Sequence, residues 1–152
     1  TTNGLSRIGT ETCILAFATT LGMVFETSLP HMGLLDWLTA QNFAAPVIIL
    51  IVIMTMNIAG LAGVHAIVTG TIVLVVFTSM PTGVVDLVLM QALLVGWGLC
   101  SGISIGSLSV ATGAAMFRLP PTQLVSRANI VFVFTLSVLL AGGLSLLNTM
   151  LR

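Results

Sequence analysis

Two places in this sequence carry residues able to do chemistry. One is His65, which lies in a stretch of 38 residues (43–80) without an Asp, Glu, Lys or Arg. The other is a strip of serine, threonine and glycine at 101–113. An imidazole titrates near neutral pH, and an ionisable group in an apolar run is costly enough to mark a proton or solute path. The plainer role for such a ring is a hydrogen bond to a neighbouring helix. Asn57 precedes His65 across Gly60 and Gly63, and the two can face one cavity if the chain turns between them. In the second strip, Ser101, Ser104, Ser107, Ser109 and Thr112 are interleaved with glycines. With freed backbone amides and carbonyls, such hydroxyls can bind an ion or an anionic substrate. Unwound backbone at membrane depth is tolerated only where it is buried in protein or lines a watery cavity.

The hydroxyl strip has two other readings. Gly98, Gly102 and Gly106 stand four apart, a small-xxx-small face that lets helices pack closely. Gly102-Ile103-Ser104-Ile105-Gly106 also matches the G-x-S-x-G nucleophile pattern. That elbow needs a strand before it and a helix after it, whereas both flanks here are membrane-apolar, so the match reads as chance and no enzyme is expected. No HExxH, CxxC, P-loop or Rossmann fingerprint occurs, so neither a metal nor a cofactor is expected. Asp86, Glu26 and Asp36 read as residues reaching water at a membrane edge, and the scattered methionines as packing.

These residues must be positioned inside lipid. The chain is 57% hydrophobic and 5% charged over 152 residues, with a mean hydropathy of +1.21. A soluble domain carries about 25% charged residues. Four arginines match four acids, which excludes a basic stripe for nucleic acid and a disordered, charge-rich chain. Cys13 and Cys100 both fall in apolar runs and read as small buried side chains. The reading is an integral membrane protein, in the inner (cell) membrane of a bacterium, with the lipid bilayer as its first partner.

A spanning helix needs about 20 apolar residues. Residues 12–27, between Glu11 and Glu26, form the first candidate. Residues 28–42 mix Pro30, His31, Asp36 and Trp37 with leucines, which suits an amphipathic helix at the headgroup level. Residues 43–80 as one helix would reach about 57 Å, nearly twice the hydrocarbon thickness, so the chain must break. Asn57, Gly60 and Gly63 place the break at 57–63, between elements at 45–58 and 64–78. Pro81 and Gly83 make a turn, 84–100 is the next span, 118–127 is a polar connection, and 128–151 is the clearest span. With Arg7 cytoplasmic, Arg118 and Arg127 also lie on that side if 101–117 dips in and returns. The expected architecture is therefore all-α and polytopic, with about five transmembrane elements, a broken helix pair and a re-entrant hairpin.

The stretch Gly60-Leu61-Ala62-Gly63-Val64-His65-Ala66-Ile67-Val68 resembles the Gly-x-His-Pro-Ile-Val signature of ion-transporter superfamily permeases, with alanine at position 66 in place of proline. That group includes citrate and dicarboxylate permeases, arsenite permeases and sodium/proton antiporters. From about residue 44 to 151, the order of broken helix, apolar helix, Ser/Gly/Thr strip and final span resembles the second structural repeat of such a permease. The resemblance implies secondary transport of a small ion or organic anion. Asn57, Gly60, Gly63, His65, Ser101, Ser104, Ser107, Ser109 and Thr112 are then the substrate or ion site. It also implies that residues 1–152, a single transmembrane domain, are one repeat or one subunit, completed by another membrane chain or a second copy. A chain opening at Thr1 fits a processed or partial protein, and no signal peptide is readable in its first ten residues. The rival expectation is a non-catalytic scaffold or anchor subunit of a larger membrane complex.

Overall fold

Long apolar runs without charge satisfy their backbone within themselves, and the outcome is helical throughout. The computed structural model describes residues 2–152, the side chains of residues 2–8, 10, 11 and 14 excepted. Helix makes up 81% of the chain, with no strand among the described residues. The helices are α1 (Thr2–Ser28), α2 (Leu34–Ala40), α3 (Ala45–Leu61), α4 (Ala66–Thr78), α5 (Asp86–Ile103), α6 (Leu108–Phe117), α7 (Pro121–Leu124) and α8 (Arg127–Leu151). A 3-10 turn at Leu29–His31 joins α1 to α2. The stretch Asp86–Phe117, divided after Ile103, and α8 are each long and apolar enough to cross a membrane, while α3 and α4 are apolar but shorter.

α3 is the centre. Ile49, Val52, Ile53 and Met56 on α3 are fully buried and cluster with Val88 and Ala92 of α5 and Val73 and Phe77 of α4. Two glycines let α3 and α5 approach. A Cβ at Gly96 would stand 2.9 Å from the Met56 side chain and 3.3 Å from the Ile53 Cα, and one at Gly60 would collide with the Cys100 Sγ. The pairs 56/96 and 60/100 advance together, so α3 and α5 run parallel. α8 runs antiparallel to both. Its Ser137 Oγ accepts from Asn57 Nδ2 at 2.9 Å, and its Asn148 reaches the start of α5. Asn148 Oδ1 accepts the Val85 N–H at 2.8 Å, while its Nδ2 donates to the Gly83 carbonyl at 3.2 Å. α1 packs against α4, with Gly22 over Thr71.

Several boundaries differ from the sequence expectations. The first helix is Thr2–Ser28 rather than 12–27, since a charged residue does not by itself end a helix. The stretch 28–42 is a 3-10 turn and a short helix, separated by Gly33 at φ +64°. The break expected at 57–63 falls at 62–65. Asn57 and Gly60 stay helical because tertiary contacts use them: Asn57 bonds to Ser137, and Gly60 seats Cys100. α5 runs on to Ile103, so the strip 101–117 is three residues of α5, a break at 104–107, and α6. The polar connection 118–127 contains the short α7, and the last helix starts at Arg127. Gly98, Gly102 and Gly106, expected as a packing face, have nothing within 4 Å of an added Cβ. Close packing falls to Gly60 and Gly96 instead. Cys100 is buried as expected, but Cys13 is exposed, on an α1 that packs mainly against α4 among the described residues. Arg7 and Glu11 lie outside the described side chains.

Candidate functional site

The first break begins with the way α3 stops. Gly63 takes φ +82°, a left-handed conformation open to glycine at little cost. The Gly63 N–H then bonds to the Gly60 carbonyl at 3.1 Å, and the Val64 N–H to the Ala59 carbonyl at 2.9 Å. This pair is the Schellman arrangement, which satisfies the carbonyls a helix end leaves free. The chain then extends through His65, which opens α4. His65 Nδ1 accepts the Ile67 N–H at 3.3 Å, so the ring caps the helix it begins.

The second break uses serines in place of a left-handed glycine. The Ser104 N–H closes the end of α5 on the Cys100 carbonyl at 2.9 Å, and the Ser107 N–H reaches the Ser104 carbonyl at 3.0 Å. Ser107 Oγ donates to the Ser101 carbonyl at 2.6 Å and accepts the Val110 N–H at 3.1 Å, capping α6. One hydroxyl thus ties the end of one helix to the start of the next.

Parallel packing of α3 and α5 puts the two breaks side by side, with a cavity of about 300 Å³ between them. Gly63 and His65 line it from the first break, and Ser101, Ser104, Ser107 and Ser109 from the second. Six of the nine expected site residues are therefore brought together. The other three are not in its lining: Asn57 is buried within α3, Gly60 is covered by Cys100, and Thr112 is exposed on α6. Trp97 and Cys100 line the cavity as well, unforeseen from the sequence. Their signal was there: Trp97, Cys100, Ser101 and Ser104 are spaced to share one face of a helix.

Among the described residues no Asp, Glu, Lys or Arg lines this space. Glu26, Asp36 and Asp86 are exposed elsewhere, and no group of three or more His, Cys, Asp or Glu among the described residues could hold a metal ion. The Ser101 hydroxyl is engaged, donating to the Gly98 carbonyl at 2.7 Å. Ser104 is 7% exposed, and its hydroxyl has no hydrogen-bond partner among the described residues. Compared with known proteins, the chain matches no family model, no curated protein and no solved structure.

Proposed function

We propose that this chain is an integral membrane protein that forms one half or one subunit of a secondary transporter, moving a small ion or organic anion. The observation that carries the reading is the meeting of two interrupted helices, remote in sequence, at one cavity whose lining includes His65 and the unpartnered Ser104 hydroxyl. Interrupted helices with exposed peptide ends are how transporters present polar groups inside lipid.

A membrane setting is supported by what α8 exposes: Leu139, Leu146 and Met150 are 66%, 66% and 81% exposed, large apolar side chains at helical spacing that lipid accommodates without cost. Hydroxyls on exposed α1 positions are turned inward, Thr19 to the Leu15 carbonyl and Thr20 to the Ala16 carbonyl, each at 2.8 Å, as lipid contact requires. α5 and α8 are antiparallel, so the segment between them leaves and rejoins the bundle at one end, in keeping with a re-entrant course. Asn57 pairs with Ser137, so α8 continues about six residues, or ~9 Å, past the end of α3. If the start of α8 marks the membrane surface, both breaks lie beneath it. The Gly63–His65 break also falls on the segment that resembles the permease signature.

Uptake by proteoliposomes tests the function. His65→Ala and Ser104→Val are each expected to reduce uptake at least about tenfold, the loss from removing one polar contact to a solute. Uptake unchanged in both would refute the proposal.

A scaffold subunit is the second reading, favoured by Gly98 and Gly102 of α5, four residues apart with nothing against them among the described residues and so open to a neighbouring helix. Single cysteines placed from 101 to 112, with Cys13 and Cys100 replaced by Ala, separate the two. A membrane-impermeant thiol reagent reaches several of them in a carrier and none in a purely packing subunit.

A further inference from the structure

We infer that the start of α8 holds an anionic phospholipid, with the phosphate on Arg127 and an acyl chain in a groove down the exposed face of the helix. The inference rests on the membrane setting proposed above and is independent of transport.

Length fixes the depth of Arg127. Residues 128–151 carry no charge and rise about 36 Å as a helix, against about 30 Å of hydrocarbon. A span seated across that layer holds Arg127, its first residue, at the level of the lipid phosphates. The polar groups around it are occupied with one another. Ser126 Oγ accepts the Asn129 N–H at 3.3 Å, and Asn129 Nδ2 donates to the Leu124 carbonyl. Neither engages Arg127, whose guanidinium has no ion pair and no hydrogen bond among the described residues. Asp86 starts α5 and so lies at the opposite end of the antiparallel α5–α8 pair.

A groove begins at that guanidinium. Arg127, Ala128, Val131, Phe132 and Thr135 line it, at offsets that follow one face of the helix. Val131 and Phe132 are exposed, and the path from Arg127 to Thr135 is about 12 Å long, room for the upper part of an acyl chain. One cation at headgroup depth with an apolar channel beneath it matches a phospholipid in both chemistry and order. The guanidinium can fork onto two phosphate oxygens, and the first turn of α8 adds the positive end of its dipole. A second copy laid parallel along this face would set Arg127 against Arg127, a like-charge contact that works against pairing. A soluble phosphate would make no use of the channel.

The chain has two tryptophans, Trp37 and Trp97. With both replaced by Phe, Phe132→Trp puts the single indole in the groove, and Leu146→Trp puts it towards the other end of the same helix. Each protein is placed in phosphatidylcholine nanodiscs that carry the same minor fraction of either chain-brominated phosphatidylglycerol or chain-brominated phosphatidylcholine. Quenching at 132 is expected to show the anionic lipid enriched about fivefold over the zwitterionic one, the factor one arginine provides near anionic lipid. At 146 the two lipids are expected to quench alike. Arg127→Gln is expected to abolish the preference at 132, and Arg118→Gln, outside the groove, to leave it unchanged. Glycerol 3-phosphate in the buffer is expected to leave the quenching as it was. Equal quenching by the two lipids at 132 overturns the inference. So does a preference that survives Arg127→Gln, falls as far in Arg118→Gln, recurs at 146, or yields to glycerol 3-phosphate, which would make the occupant a soluble phosphate. An indole at 146 that neither lipid quenches removes the membrane setting itself, whereas strong and equal quenching there keeps the setting even if the site at 132 fails.

Discussion

The two breaks reach the same end by different means. At 62–65 the backbone does the work: one glycine at φ +82° reverses the chain, and main-chain bonds close the helix behind it. At 104–107 no glycine is left-handed, although Gly106 lies within the break and Gly102 just before it. A single serine stitches the two helix ends together there. A glycine count therefore locates the first kind of interruption and misreads the second, whose residues act as hydrogen-bonding brackets. Freedom of the backbone makes one hinge, and side-chain capping makes the other.

The contrast can be broken by exchanging small residues between the sites. The largest effect is expected from Gly63→Val, since a β-branched residue held at positive φ costs about 1–3 kcal/mol. Thermal unfolding in detergent should show it as a lowered Tm even though the space around Gly63 is open. Ser107→Ala removes a cap and a bracket together and is expected to lose about 1–2 kcal/mol. Ser107→Thr should restore most of it, measured the same way. His65→Ala forfeits a longer cap bond at 3.3 Å and is expected to lose no more than about 1 kcal/mol. His65→Asn keeps the cap and the stability while still impairing uptake, which divides the structural role of the ring from the functional one. The smallest effect belongs to Gly106→Ala, expected within about 0.5 kcal/mol, because its φ is not positive and nothing lies near the added methyl.

The sequence displayed the helices well and their partnerships poorly. α8 was legible because 24 residues at 128–151 contain no charge, the first interruption because a helix of 38 residues would overrun the bilayer, and the second because serine, threonine and glycine crowd 101–113. Placing the first break at Asn57 was an error of locality. The residue that keeps Asn57 helical, Ser137, lies 80 positions away, beyond the reach of any turn propensity. The same holds for Gly60, whose role exists only because Cys100 lies against it. Six of the nine expected site residues meet at the cavity since a parallel α3–α5 pair aligns two breaks that the sequence could only name one at a time. Thr112 shared the composition of the strip but lies on the exposed side of α6, which starts only after the break.

At the far end of α5, the Asn148 carboxamide grips both the Gly83 carbonyl and the Val85 N–H. That clasp is a foothold. α5 rises about 27 Å from it, seated against α3 at Gly96 and again at Cys100, so the position of Ser104 just past its far end is fixed by contacts spread along the whole helix.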